Sequence, residues 1–320
     1  MIFASMIIID NHTSETMNDN IISELLENLD NIESLNLRLT FFQKRKNDYL
    51  AYNPNVDRII CDRLIGLIIE YLREKVDFRI VNYNPVRPCA DDELESCEIA
   101  YVGNYNEVIE CVENADYVNT NIDVNKLTFY RIDIINNDFR CSVFRRVTKF
   151  KRLSAQGILA IFNGDTLNTI DEQLLGIDGC IDLLCINDRF FIFNHIALER
   201  IFRLNVEFEQ RARYALESIA RTNKIINFQQ FESACIDNAR YHKALSRLVE
   251  NEIDPNVVFN NFDEVESVID SFNLDIECSG IGNERQIVYS DASQIMDIIR
   301  IISDAYCKSI ICSRNLVYDN

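Results

Sequence analysis

The chain has 320 residues, 48 % of them hydrophobic and 26 % charged, which excludes collagen, long low-complexity disorder and small disulfide scaffolds and leaves a globular protein with a sizeable core. Its 51 acidic and 32 basic residues give a formal net charge of -19. That balance excludes a uniformly basic nucleic-acid binder, so contact with a polyanion requires a locally basic surface.

The apolar amino terminus, Met1 to Ile9, lacks a basic n-region and is stopped by Asp10, so it reads as a first strand and not as a secretion signal. Helical spacing of Ile22, Leu25, Leu26, Leu29 and Ile32 predicts a helix over Ile21 to Leu39. A second helix is expected over Asp57 to Lys75, after a break at Asn53 and Pro54, and Pro85 and Pro88 bracket a turn. Asp91 to Glu98 reads as an acidic surface piece. Tyr130 to Ile135 and Phe139 to Val147, joined by Asn136-Asn137-Asp138, predict a hairpin. A second hairpin is expected from Cys180 to Ile186 and Phe190 to Phe193, with Asn187 and Asp188 as its turn and Asn194 capping a helix over His195 to Phe202.

Val206 to Arg221 predicts a helix with Phe208, Ala212, Ala215, Leu216 and Ile219 on one side and three Glu–Arg pairs four residues apart on the other. Further helices are expected over Phe228 to Glu250, with a break, and over Phe262 to Phe272. A strand at Ile287 to Tyr289 then precedes a last helix carrying Ile295, Ile298, Ile299, Ile302 and Tyr306. The whole predicts an α+β (mixed α/β) fold: an N-terminal mixed β/helix region over residues 1–138, then a mixed sheet with a helix-rich C-terminal half over 139–320.

Most catalytic signatures are missing. There is no phosphate-binding loop, no Gly-x-Ser-x-Gly elbow and no His-Glu-x-x-His helix. Eleven cysteines, spread from Cys61 to Cys312 with no secretion signal before them, read as reduced thiols used for packing in a cytosolic protein. The loose pairs Cys180 with Cys185 and Cys307 with Cys312 lack the company of a metal site, and no metal or other cofactor is expected. No segment approaches the roughly 18 uninterrupted apolar residues of a membrane span. His195 beside Glu199 could form a base one helical turn from a carboxylate. Asp171, Glu172, Asp178, Asp182 and Asp188 gather near two strands, the arrangement a metal-dependent nuclease would use, with Asp178 and Asp182 as its core. Their other reading is turns and strand positions.

One segment opposes the overall acidity. From Phe139 to Gly164 there is no acidic residue, and Arg140, Arg145, Arg146, Lys149, Lys151 and Arg152 give a local charge of +6, leaving -25 to the rest of the chain. Strand alternation would place Arg140, Arg146 and Arg152 on one face and Arg145, Lys149 and Lys151 on the other. These six are the candidate duplex-DNA contacts, with Phe139, Phe144 and Phe150 as apolar anchors. The alternative is an edge strand whose positive charges discourage pairing. Lys44, Arg45 and Lys46 form a lesser patch.

The runs Gly157-Ile-Leu-Ala-Ile-Phe162, Gly176-Ile-Asp-Gly-Cys-Ile-Asp-Leu-Leu-Cys-Ile186, Arg189-Phe-Phe-Ile-Phe-Asn194 and Ala197-Leu-Glu-Arg-Ile-Phe202 resemble the central block of the Kiwa protein B-like family. Ser303-Asp-Ala-Tyr-Cys-Lys-Ser309 followed by Tyr318 is similar to that family's closing segment. The resemblance implies a bacterial anti-phage defence protein that self-associates as a homodimer or higher oligomer. It implies binding to duplex DNA, which obstructs phage DNA replication or expression without a catalytic step. The implied partner is a small multi-spanning membrane protein of the same system, which would recruit this cytoplasmic chain to the inner face of the membrane. A pure protein-interaction scaffold is the remaining alternative.

Overall fold

A computed structural model describes residues 21–29, 35–46, 48–87, 89–117, 123–136, 139–147, 160–164, 166–169, 175–309 and 314–317. Strands and helices are both abundant and the main sheet is mixed, an α+β architecture as the sequence predicts. The chain divides into two units. The first comprises residues 1–82, 90–97 and 114–193, and the second 83–89, 98–113 and 194–320. The expected division at 138/139 falls between two paired strands of the first unit.

The first unit is organised by alternating apolar residues that pair into a nine-stranded sheet. Its strands are β1 (Asn36–Lys44), β2 (Tyr49–Asn53), β3 (Arg79–Asn82), β4 (Glu93–Glu98), β5 (Asp116–Tyr117), β6 (Phe129–Asn136), β7 (Phe139–Arg146), β10 (Leu183–Ile186) and β11 (Arg189–Ile192), in the order β3-β4-β11-β10-β7-β6-β1-β2-β5. A separate pair, β8 (Ala160–Asn163) and β9 (Thr166–Thr169), is antiparallel. The two predicted hairpins are present as β6–β7 and β10–β11, and β7 pairs with β10, so Phe144 lies opposite Leu183.

Helices α1 (Ile21–Leu29) and α2 (Arg58–Arg73) pack their apolar sides on one face of this sheet, against Leu39, Ile132, Ile134, Val143 and Leu184. Asp57 caps α2 by accepting from the Ile60 N–H. The opposite face is also buried. Phe42 stacks on Phe129 at 4.4 Å, Phe144 meets Phe190 edge-on, and Arg131 and Asp133 lie beneath the surface at 3 % and 1 % side-chain exposure.

Two expectations fail in this unit. The first helix does not reach Leu39. It ends at Leu29, and Leu37, Leu39 and Phe41 alternate along β1, paired with β6. Asp91 to Glu98 is not a surface piece, because Glu93 to Glu98 form the inner strand β4, with Glu93, Glu95 and Ser96 buried. Arg79 on the parallel neighbour β3 pairs with Glu93, which makes that burial tolerable. The proposed strand at Met1 to Ile9 lies outside the described residues.

The second unit has a helical core. Its helices are α3 (Tyr105–Glu113), α4 (His195–Ile201), α5 (Leu204–Thr222), α6 (Phe228–Ile236), α7 (Ala239–Glu250), α8 (Pro255–Asn260), α9 (Phe262–Phe272) and α10 (Ile295–Ile302). Two short sheets accompany them: β12 (Ile225–Ile226), β14 (Gln286–Val288) and β13 (Glu277–Ser279), then β15 (Tyr306–Lys308) with β16 (Asn315–Val317). Asn194 caps α4 as expected, and the break between α6 and α7 comes at Asn238, whose side chain caps α7. All three Glu–Arg pairs expected along α5 form, at 3.6, 2.8 and 3.8 Å.

The last helix stops at Ile302, short of Tyr306. Asp304 turns the chain with φ 52°, and Tyr306 on β15 donates its hydroxyl back to Asp297 of α10 at 2.8 Å. A polar knot not legible in the sequence joins distant parts of this unit. Glu250 accepts from Tyr101 at 3.1 Å, Arg211 at 2.6 Å and Arg247 at 3.2 Å, and burial pushes the Tyr101 hydroxyl well above its ordinary pKa.

Candidate functional site

The basic run begins on β7, whose pairing fixes which way its arginines point. Tyr130 lies opposite Arg145 and Phe129 opposite Arg146, so Arg145 shares a face with Cys141 and Val143 while Arg140 and Arg146 share the other with Ser142 and Phe144. This is the alternation read from the sequence. Lys149, Lys151 and Arg152 lie outside the described residues, as do Asp171 and Glu172.

Arg145 is enclosed by carboxylates. Its Nε and Nη2 donate to the two oxygens of Asp178 at 3.0 and 2.9 Å, and its Nη1 donates to Asp182 at 2.9 Å. The second oxygen of Asp182 accepts the Arg146 backbone N–H at 2.8 Å and lies 3.5 Å from Arg146 Nε. Asp182 is 1 % exposed, Arg145 20 % and Arg146 32 %. The fork-to-fork geometry with Asp178, followed by the Asp182 charge, raises the Arg145 pKa above its already high value.

The segment carrying these acids is held in place. Tyr130 donates its hydroxyl to the Asp178 carbonyl at 3.2 Å, Tyr71 reaches the Ile181 carbonyl at 3.4 Å, and Asp178 accepts the Cys180 N–H. Burial pushes the Tyr71 hydroxyl up to about 12. Gly179 makes the close approach possible, because a Cβ there would stand 2.4 Å from the Leu67 Cβ on α2.

The two candidate sites read from the sequence, basic run and carboxylate cluster, therefore meet. Asp178 and Asp182 face guanidinium groups, and Asp188 sits with φ 57° in the turn between β10 and β11. Arg140 keeps 60 % of its side chain exposed, its Nη2 3.7 Å from Asp133. In the lesser patch, Arg45 stands 3.8 Å from Asp48 at the surface. Sequence reasoning missed the partnership because 33 to 37 residues separate the arginine from its acids. Only the β7–β10 pairing brings them together.

The other candidates also have structural settings. Glu199 pairs with Lys243, and the His195 ring packs edge-on against Tyr83 at 5.2 Å. Burial lowers the His195 pKa, so the folded chain favours the neutral ring. The unfolded chain then takes up a proton first as pH falls below about 6.5, and the stability tied to this residue declines below that pH. The melting temperature of His195→Gln is accordingly expected to change less between pH 7.5 and 5.5 than that of the unaltered chain. An equal change in both proteins would contradict this. Described cysteines are free thiols, and burial raises those of Cys61, Cys235 and Cys278. Among the described residues no three His, Cys, Asp or Glu side chains group as metal ligands, and no helix is long and apolar enough to cross a membrane.

The family model described as Kiwa protein KwaB-like matches residues 124–312. No curated protein and no solved structure matches the chain. The matched region opens just before β6 and contains β7, the basic run and both carboxylates that hold Arg145. It spans more than half of the 320 residues, and the chain belongs to the Kiwa protein KwaB-like family, which makes it a Kiwa anti-phage defence protein.

Proposed function

We propose that this Kiwa protein binds duplex DNA without cutting it and obstructs phage DNA replication or expression from the cytoplasmic side of the membrane. The observation that carries this reading is the acid-free run of charge +6 inside a chain of charge -19, lying within the family region. The six basic residues have two tasks. Arg140, Arg146, Lys149, Lys151 and Arg152 meet phosphates, and Arg145 is a positioning residue that ties β7 to Asp178 and Asp182.

A surrounding charge of this sign makes binding salt-sensitive and local. The protein works as a homodimer or higher oligomer, which sets two basic runs on one duplex, and with a small multi-spanning membrane protein of its own defence system. Co-purification of the two chains tests that partnership.

The engagement of Asp178 and Asp182 by guanidinium groups favours binding over metal-dependent cleavage. Incubation with labelled duplex DNA and Mg²⁺ or Mn²⁺ separates the two. Retardation of a duplex of unchanged length is expected at low salt. Shortened DNA would replace this reading with a nuclease, and absence of any retention would leave an interaction scaffold.

A further inference from the structure

Residues of the short helix α8 line two grooves in the second unit, Pro255 the first and Val257 and Val258 the second. The first, of about 370 Å³, is lined by Tyr214, Leu248, Ile253 and Pro255 among its apolar residues, and its charged lining residues are Glu252 and Asp254. The second, of about 230 Å³, is lined by Val257, Val258, Val265, Ile301 and Tyr306 among its apolar residues, and its charged lining residues are Glu264 and Asp304. Neither lining contains a lysine, arginine or histidine. Tyr214 and Val257, one beside each groove, stand 60 % and 61 % exposed. A large apolar side chain exposed at an apolar groove with a charged rim marks an interaction surface.

We propose that these grooves receive a cationic amphipathic helix of a partner protein, with apolar anchors seated in the two grooves and its lysines or arginines on Glu252, Glu264 and Asp304. Two apolar hollows lined in part by one short helix offer seats for the anchors of helix-in-groove recognition. The charge selects the occupant. A chain of net charge -19 attracts a cationic segment at long range, while the same rim repels DNA and an anionic membrane. The lining residues belong to the second unit and none of them is in the basic run, so the test does not depend on DNA binding.

A labelled helical peptide of leucine and lysine, with leucines at i, i+3, i+4 and i+7, titrated with the full chain tests this. Saturable binding is expected. Glu252→Lys/Glu264→Lys/Asp304→Lys is expected to weaken it at least about tenfold, since several surface charge contacts each contribute a fraction of a tenfold step. Glu74→Lys/Asp77→Lys/Asp91→Lys, exposed acids of the first unit, shifts net charge equally and is expected to weaken it less than about threefold. Tyr214→Ala/Val257→Ala keeps the charge, removes only exposed side chains and is expected to weaken binding several-fold; it carries the test should the charge-reversed chain fail to fold. Equal effects of the two triple variants would overturn the proposal, as would equally tight binding of a lysine peptide without leucine. Self-association abolished by the groove variant alone would also overturn it, giving the surface to a second copy.

Discussion

Arg145→Ala is expected to lower the stability of the first unit by about 3 kcal/mol, the range seen when one partner of a buried ion pair is removed. The cause is what the substitution leaves behind. Asp182, 1 % exposed, would lose the Arg145 Nη1 donor and retain the Arg146 backbone N–H, while Asp178 would lose both arms of the guanidinium fork. A buried carboxylate short of donors is costly. Arg145→Glu is expected to be worse, because it sets a third negative charge beside two others. Arg145→Lys is expected to recover part of the loss, since one ammonium cannot reproduce the planar fork. For a unit of this size, 3 kcal/mol corresponds to roughly 6–12 °C in melting temperature, readable by calorimetry on the whole chain. A melting temperature unchanged in Arg145→Ala would mean that the arginine is not held as described, and would return it to the candidate phosphate contacts.

Asp133→Ala is expected to be at least as damaging, at about 3–5 kcal/mol. One oxygen of Asp133 accepts from Arg131 Nε and Nη2 at 2.9 and 2.6 Å and from the Ser142 hydroxyl at 2.6 Å, and Arg131 also lies over the Phe144 ring at 5.5 Å. Removing the carboxylate strands a guanidinium that is 3 % exposed. The network is incomplete even when intact, because Arg131 Nη1 and Asp133 Oδ2 have no hydrogen-bond partner among the described residues. Replacing both charges together, as Arg131→Met/Asp133→Leu, is therefore expected to cost less than Asp133→Ala alone. Urea denaturation of the three proteins checks this, and a double variant less stable than Asp133→Ala would contradict it.

How far the fold was legible depended on how local its signals are. The β6–β7 and β10–β11 hairpins announce themselves as apolar runs around Asn and Asp, and Asp57, Asn194 and Asn238 mark helix starts by side chains that cap the next turns. Strand β1 was hidden because Leu37 and Leu39 continue a helical spacing begun by Leu25 and Leu29, and only pairing with β6 selects the strand. Strand β4 was hidden because Glu93, Glu95 and Glu98 carry the look of a surface, while the arginine opposite Glu93 comes from β3. Helices α3 and α8 were not anticipated at all.

The candidate site was legible in part for the same reason. Charge arithmetic along the chain locates the basic run, and alternation assigns its arginines to faces. It cannot show that Asp178 and Asp182, more than thirty residues away in sequence, enclose Arg145. The carboxylates that looked like a metal cluster and the arginine that looked like a phosphate contact turn out to be one another's partners.

The salt dependence of duplex affinity, compared between the unaltered chain and Lys149→Gln/Lys151→Gln/Arg152→Gln, tests most directly whether the basic run neutralises phosphates. Five contacts give a slope of log affinity against log salt of roughly -4.5, and two leave roughly -2. A slope that moves between these values in a still-folded variant is the expected result. An unchanged slope would place the phosphate contacts elsewhere on the molecule and contradict the role assigned to this segment.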